Sequence, residues 1–250
     1  MDILQTEAYF RKKERHSFGV LLFSLLPFLL SSGLYFYLWL PESSPSPHSA
    51  AVKCIPVLTL SAMLFCHKGC SLGHPGGKLL AGLLMSAVGD VCLIWKDLLL
   101  PGVAFFSLAH ILYSLSFLSV RSRRPSWLLL PCLALWIFTG CAYMYFLPHL
   151  QVRPDAQLMV PAVGFYCILI TIMTSFAFRT SRPPTIAGSL FFMASDFILA
   201  HQLFVAPAPW GRMMIMITYY LAQLLITVGG ALEKQDYDLY SGERNKRKKK

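Results

Sequence analysis

Residues 79–95 read LLAGLLMSAVGDVCLIW, a run apolar enough to lie in hydrocarbon that nevertheless contains Asp90. A carboxyl group at the centre of a membrane helix costs about 2.5–3.5 kcal/mol or more, so a chain that keeps one must give it partners. The same constraint occurs a second time. AGLLMSAVGD, residues 81–90, aligns without gaps with AGSLFFMASD, residues 187–196, and the Ala, Gly, Leu and Asp positions coincide at an offset of 106. Of twelve acidic residues, only Asp90 and Asp196 fall inside apolar segments. Two intramembrane carboxyls therefore mark a functional site and limit the folds that can hold them.

The fold class is all-α and polytopic. A chain of 250 residues that is 56% hydrophobic and 14% charged carries far more apolar surface than a soluble core needs. Eight segments are long enough, or nearly so, to span as helices: 17–40, 52–66, 79–95, 102–120, 127–147, 158–178, 185–205 and 213–232. The second is the shortest. They form a transmembrane domain over 17–232, flanked by a basic N-terminal arm (1–16) and a basic tail (233–250). With both termini cytosolic, 18 of the 22 basic residues fall on the cytosolic side, as the positive-inside rule requires. The exceptions are Lys53, Lys96, Arg153 and Arg212. The net charge of +10 thus reports topology and contact with anionic lipid, and not nucleic-acid binding. The offset between the two aspartates covers four helices, an even number, so their helices run the same way. That predicts a 4+4 parallel internal repeat with a site at the interface of the halves.

Seven cysteines without a C-x-x-C pair, mostly inside spans, read as reduced small hydrophobes. Cys66, His67, Cys70 and His74 match the spacing of no standard structural zinc site, so no metal is expected.

Candidate site residues cluster in the outer halves of four helices. Ser86 stands one turn before Asp90 and shares its face. Helix four brings His110 and Tyr113, helix seven Asp196, and helix eight Tyr219, Tyr220 and Gln223. Lys53, at the membrane border, can snorkel toward a lipid phosphate. Helices five and six carry no charge within their spans and are expected to be scaffold. Asp90, His110, Asp196, Tyr219 and Tyr220 are expected to form one polar layer. Two approaching carboxyls suit general acid and general base roles on an acid-labile ether in a lipid. They equally suit a proton- or cation-coupled carrier, and the residues alone leave both open.

KCIP (53–56), SAVGD (86–90), FFSLAHILYSLSF (105–117), GSLFFMASD (188–196) and TYYLAQ (218–223) resemble, in the correct order, the YhhN-like lysoplasmalogenase family of eight-helix membrane proteins, in its vertebrate branch. The resemblance implies hydrolysis of the vinyl ether bond of lysoplasmalogen to a fatty aldehyde and glycerophosphocholine or glycerophosphoethanolamine. It implies Asp90 and Asp196 as catalytic residues. Lys53, Ser86, His110, Tyr113, Tyr219, Tyr220 and Gln223 are then expected to bind and orient substrate, with no cofactor. Lysoplasmalogen and membrane lipids are the expected partners. The oligomeric state is left open, a homodimer included. Lys246 and Lys248 resemble a dilysine retrieval signal and favour the endoplasmic reticulum membrane.

Overall fold

The computed structural model describes residues 19–39, 45–69, 71–119 and 128–247, with side chains described to Leu232 except that of Lys68. The N-terminal arm, the RSRRP turn (121–125), Cys70 and Lys248 of the dilysine motif lie outside the described residues. Eight helices follow in order: α1 (Gly19–Leu38), α2 (Pro47–Lys68), α3 (Pro75–Cys92), α4 (Leu99–Ser119), α5 (Leu129–Gln151), α6 (Ala156–Thr180), α7 (Pro183–Phe204) and α8 (Gly211–Arg247). One 3-10 turn, Lys96–Leu98, joins α3 to α4, and no strand occurs among the described residues. Seven of the helices are long and apolar enough to cross a membrane. The exception is α3, at 18 residues the shortest that follows α1 and the one carrying Asp90.

The helix ends follow local chemistry. The shortest expected span, 52–66, begins at Pro47, because Ser46 caps it. Its Oγ accepts from Ser49 N–H at 3.1 Å, while Ser46 N–H donates to Ser49 Oγ at 3.1 Å. Proline in the first helical positions pre-sets φ for α2, α3 and α7. Within α1 the helix is interrupted at Leu25, two residues before Pro27, whose missing N–H breaks the ladder. Where the sequence predicted a span to Trp95, α3 stops at Cys92 and tightens into i→i+3 bonds from Ile94 to Val91 and from Trp95 to Cys92. Asp90 consequently sits in the last turn of α3. At the other end of the chain, α8 continues past the expected boundary at 232 as far as Arg247.

The bundle is centred on two close helix pairs, α3 on α4 and α7 on α8. α4 packs in turn on α6, and α8 on α2. The core between them is built from Leu60, Leu64, Leu83, Phe192 and Ile226, all fully buried. Hydroxyls inside the spans return to their own helix: Ser61 donates to the Val57 carbonyl, Thr174 to Ile170 and Thr227 to Gln223. That satisfies polar groups where no water is available. Small residues let α7 and α8 approach. A Cβ on Gly188 would lie 2.9 Å from the Ile226 backbone nitrogen and 3.0 Å from the Ala222 carbonyl oxygen.

Gly188→Leu should therefore destabilise the α7–α8 pair by about 1–3 kcal/mol, the usual cost of overpacking. Gly140→Leu, at a position with nothing within 4 Å, should leave the thermal midpoint in detergent unchanged.

Candidate active site

Asp90 is 2% exposed. Tyr219 Oη on α8 donates to its Oδ2 at 2.6 Å, and Lys53 Nζ on α2 stands 3.4 Å from its Oδ1. Three helices thus converge on one carboxyl, and both of its oxygens are engaged. A lone charge at this depth is costly, whereas a paired and hydrogen-bonded one is tolerated.

Asp196 has a different set of partners. Tyr166 Oη on α6 donates to its Oδ2 at 2.5 Å, and His110 Nε2 on α4 lies 3.6 Å from the same oxygen and 2.9 Å from Tyr166 Oη. His110 is fully buried, with its other ring nitrogen 3.3 Å from Met173 Sδ. These groups form a short chain, His110–Tyr166–Asp196, that can pass a proton in either direction.

Phe192 separates the two clusters. Its ring centroid lies 4.9 Å from that of His110 and 5.5 Å from that of Tyr219. The carboxyls are within Coulombic range of each other yet share no hydrogen bond; each is bound to its own tyrosine.

The remaining expected residues divide between two places. Ser86, Tyr113 and Gln223 are fully buried. Tyr113 Oη lies 3.2 Å from Ser86 Oγ and donates to Gln223 Oε1 at 2.9 Å, a network that ties α3, α4 and α8 together. Tyr220 leaves the expected polar layer: its hydroxyl donates to the Lys53 carbonyl at 2.8 Å, and its ring packs edge-on against Tyr35. It braces α2 behind Lys53. The expectation that α6 is only scaffold is corrected by Tyr166. A tyrosine in an uncharged span carries no sequence signal, and its role comes from packing against α4 and α7.

Two adjoining cavities meet these groups. An apolar one of about 100 Å³ is lined by Val103, Phe138, Phe146, Ile170 and Phe197, with Thr139, Tyr166 and Asp196 as polar residues in its wall. A larger one of about 510 Å³, the vestibule, is lined by Lys53, Lys96, Arg153, Arg212, Trp95 and Gln202, among others. Leu93, Leu99, Leu199 and Leu203 line both. In the α5–α6 connection, Arg153 donates to both Asp155 oxygens, at 2.8 and 3.0 Å, which holds the Asp155 carboxyl below its ordinary range. No group of three or more metal-ligating side chains occurs among the described residues.

These features define a polytopic helical membrane protein with two tyrosine-bound aspartates, Asp90 buried and Asp196 partly buried and opening into an apolar cavity. The chain belongs to the YhhN family, whose model matches residues 48–230. It is 41% identical over 209 residues to "Lysoplasmalogenase TMEM86B" of Homo sapiens, covering 82% of this chain and 84% of that one. To "Lysoplasmalogenase TMEM86A" of Bos taurus it is 34% identical over 230 residues, 86% of this chain and 92% of that one. A "Lysoplasmalogenase" of Mycobacterium tuberculosis is 29% identical over 177 residues, 64% of each chain. No solved structure matches the chain.

Lys53→Met leaves Asp90 buried without its cation and should cost about 3–5 kcal/mol of stability. Combined with Asp90→Asn, the loss should be much smaller than the sum of the two single losses, as read by thermal unfolding of the four proteins in detergent.

Proposed function

We propose that this protein is a lysoplasmalogenase of the endoplasmic reticulum membrane with eight spans, α3 included, arranged as two parallel halves. It hydrolyses the vinyl ether bond of 1-alkenyl-glycerophosphocholine or 1-alkenyl-glycerophosphoethanolamine. The observation that carries this reading is Asp196, held by Tyr166 in the wall of a largely apolar cavity. The names of the relatives point the same way.

The roles of the two aspartates follow from their partners. Asp196, bound by Tyr166 and His110 and lining the cavity, donates its proton to the vinyl carbon next to the chain. The carbon bonded to oxygen becomes an oxocarbenium ion. Asp90, ion-paired with Lys53, stays a carboxylate and takes the proton of the attacking water, which enters from the vestibule. The hemiacetal then collapses to the aldehyde and the free glycerol hydroxyl, with one water consumed overall. Asp90 gives that proton up to water and Asp196 regains one from water, so the cycle closes without a relay between the two clusters, which Phe192 separates. Ser86, Tyr113 and Gln223 act as positioning residues that hold α3, α4 and α8 in register. No step requires a metal.

Purified protein in detergent with chelator should release fatty aldehyde from a lysoplasmalogen. Asp90→Asn and Asp196→Asn, shown to be folded, should each reduce release by about 10²-fold or more. In D2O, aldehyde trapped by reduction should carry one solvent deuterium on the carbon next to the carbonyl. Folded wild type that releases no aldehyde, or aldehyde without that deuterium, would overturn the scheme.

A further inference from the structure

Gln223 stands on α8 inside the bundle, fully buried. A primary amide carries an acceptor oxygen and two N–H donors, and away from water both ends need partners. The oxygen has one, since Oε1 accepts from Tyr113 Oη at 2.9 Å. The nitrogen does not: Nε2 is a buried donor with no hydrogen-bond partner among the described residues. A donor orphaned in this way is costly enough to call for a reason.

Helix geometry supplies the acceptor it is aimed at. Gln223 follows Tyr219 by four residues, so the two side chains share one face of α8 a turn apart, and the amide stands beside the Tyr219 hydroxyl. That hydroxyl spends its proton on Asp90 Oδ2 at 2.6 Å, which leaves its oxygen able to accept. The direction of the network then follows from one end. Asp90, ion-paired with Lys53 Nζ at 3.4 Å, is a carboxylate and can only accept, so Tyr219 must donate to it. With Nε2 on its other side, the Tyr219 proton has no alternative acceptor there, because an amide N–H cannot receive it. Oε1 is thereby left for Tyr113, and Tyr113, its proton spent on Oε1, accepts from Ser86 Oγ at 3.2 Å. The series Ser86, Tyr113, Gln223, Tyr219, Asp90 runs in one direction, and it begins and ends on α3.

We propose that Gln223 is a positioning residue for Asp90: its amide N–H closes on Tyr219 Oη, fixes that hydroxyl as a donor and so keeps Asp90 as the group that accepts the proton of water. The proposal rests on the hydrolase reading above and goes beyond helix register, because it gives Nε2 a task that register does not. Hydrogen bonds of this kind are often long before substrate binds and tighten in the transition state. Polarisation along such a series strengthens its last member, from Tyr219 to Asp90.

The test is a double-mutant cycle read by kcat. Full-length protein in detergent is assayed for aldehyde release as wild type, Gln223→Met, Tyr219→Phe and the double variant, each shown to be folded. Gln223→Met should lower kcat by about 10-fold, the size of one hydrogen bond, with KM unchanged. In the Tyr219→Phe background the same substitution should cost nothing further, because Gln223 acts through that hydroxyl. Losses that multiply, or a Gln223→Met variant that keeps the wild-type kcat, would overturn the proposal. Gln223→Asn, which withdraws the amide by one methylene, carries the same expectations should the methionine variant not fold. A second reading needs no turnover. The carboxylate infrared bands of Asp90, identified as those lost in Asp90→Asn, should shift in Gln223→Met, and bands that stay in place would also overturn the proposal. A band shift in a protein that releases no aldehyde would sink the hydrolase and leave the hydrogen-bond series standing.

Discussion

The contact on which the rest of the bundle depends is the one between Asp90, Tyr219 and Lys53. A carboxyl in the last turn of a short helix can be kept out of water only if other helices bring it a donor and a cation. The donor comes from α8 and the cation from α2, so α2, α3 and α8 must all be docked before Asp90 is satisfied. Other contacts reinforce that docking. Tyr220, next to Tyr219, fastens the Lys53 carbonyl, and the Tyr113–Gln223 bond fixes α4 against α8. One buried charge thereby sets the order of four helices.

Asp196 is held by the corresponding logic with different chemistry. Each aspartate is reached by the helix immediately before its own, α2 or α6, and by one further helix, α8 or α4. The packing of α4 on α6 and of α8 on α2 has the same alternation. A strictly symmetric arrangement would make the two carboxyls equivalent. They are not equivalent, because α2 brings Asp90 a lysine whereas α6 brings Asp196 a tyrosine. Only Asp196 faces the apolar cavity. Different settings suit acid and base chemistry, because they push the proton affinities of the two carboxyls apart and so assign the roles of donor and acceptor.

How much of this was legible in the sequence depended on whether a residue violated its surroundings. Asp90 and Asp196 were visible because a charge in an apolar run has no bland explanation, and His110 and Lys53 stood out in weaker form for the same reason. Tyr166 was invisible: tyrosine is common in membrane helices, and only the packing of α6 between α4 and α7 brings its hydroxyl to Asp196. Tyr219 and Tyr220 could not be separated by composition. Adjacent residues on a helix point about 100° apart, and the position of α3 decides which of them meets Asp90. The end of α3 was misplaced by three residues because Leu93, Ile94 and Trp95 are as apolar as the helix they follow. Hydropathy does not register a change to i→i+3 bonding.

The shape of the site also discriminates between a hydrolase and the carrier that the residues alone left open. A proton- or ion-coupled carrier needs its carboxyls to be reached by water from each side in turn, along a path lined with polar groups. Here Asp196 opens into a space lined by phenylalanine, valine and isoleucine, and Asp90 is covered by Lys53 and Tyr219. The polar lining gathers instead on one side, in the vestibule. An apolar cavity that reaches a carboxyl, beside a larger cationic one, matches an amphiphile whose reactive atoms lie between its chain and its headgroup. The vinyl ether of a lysoplasmalogen lies at that junction of the molecule, the arrangement that the proposed site uses.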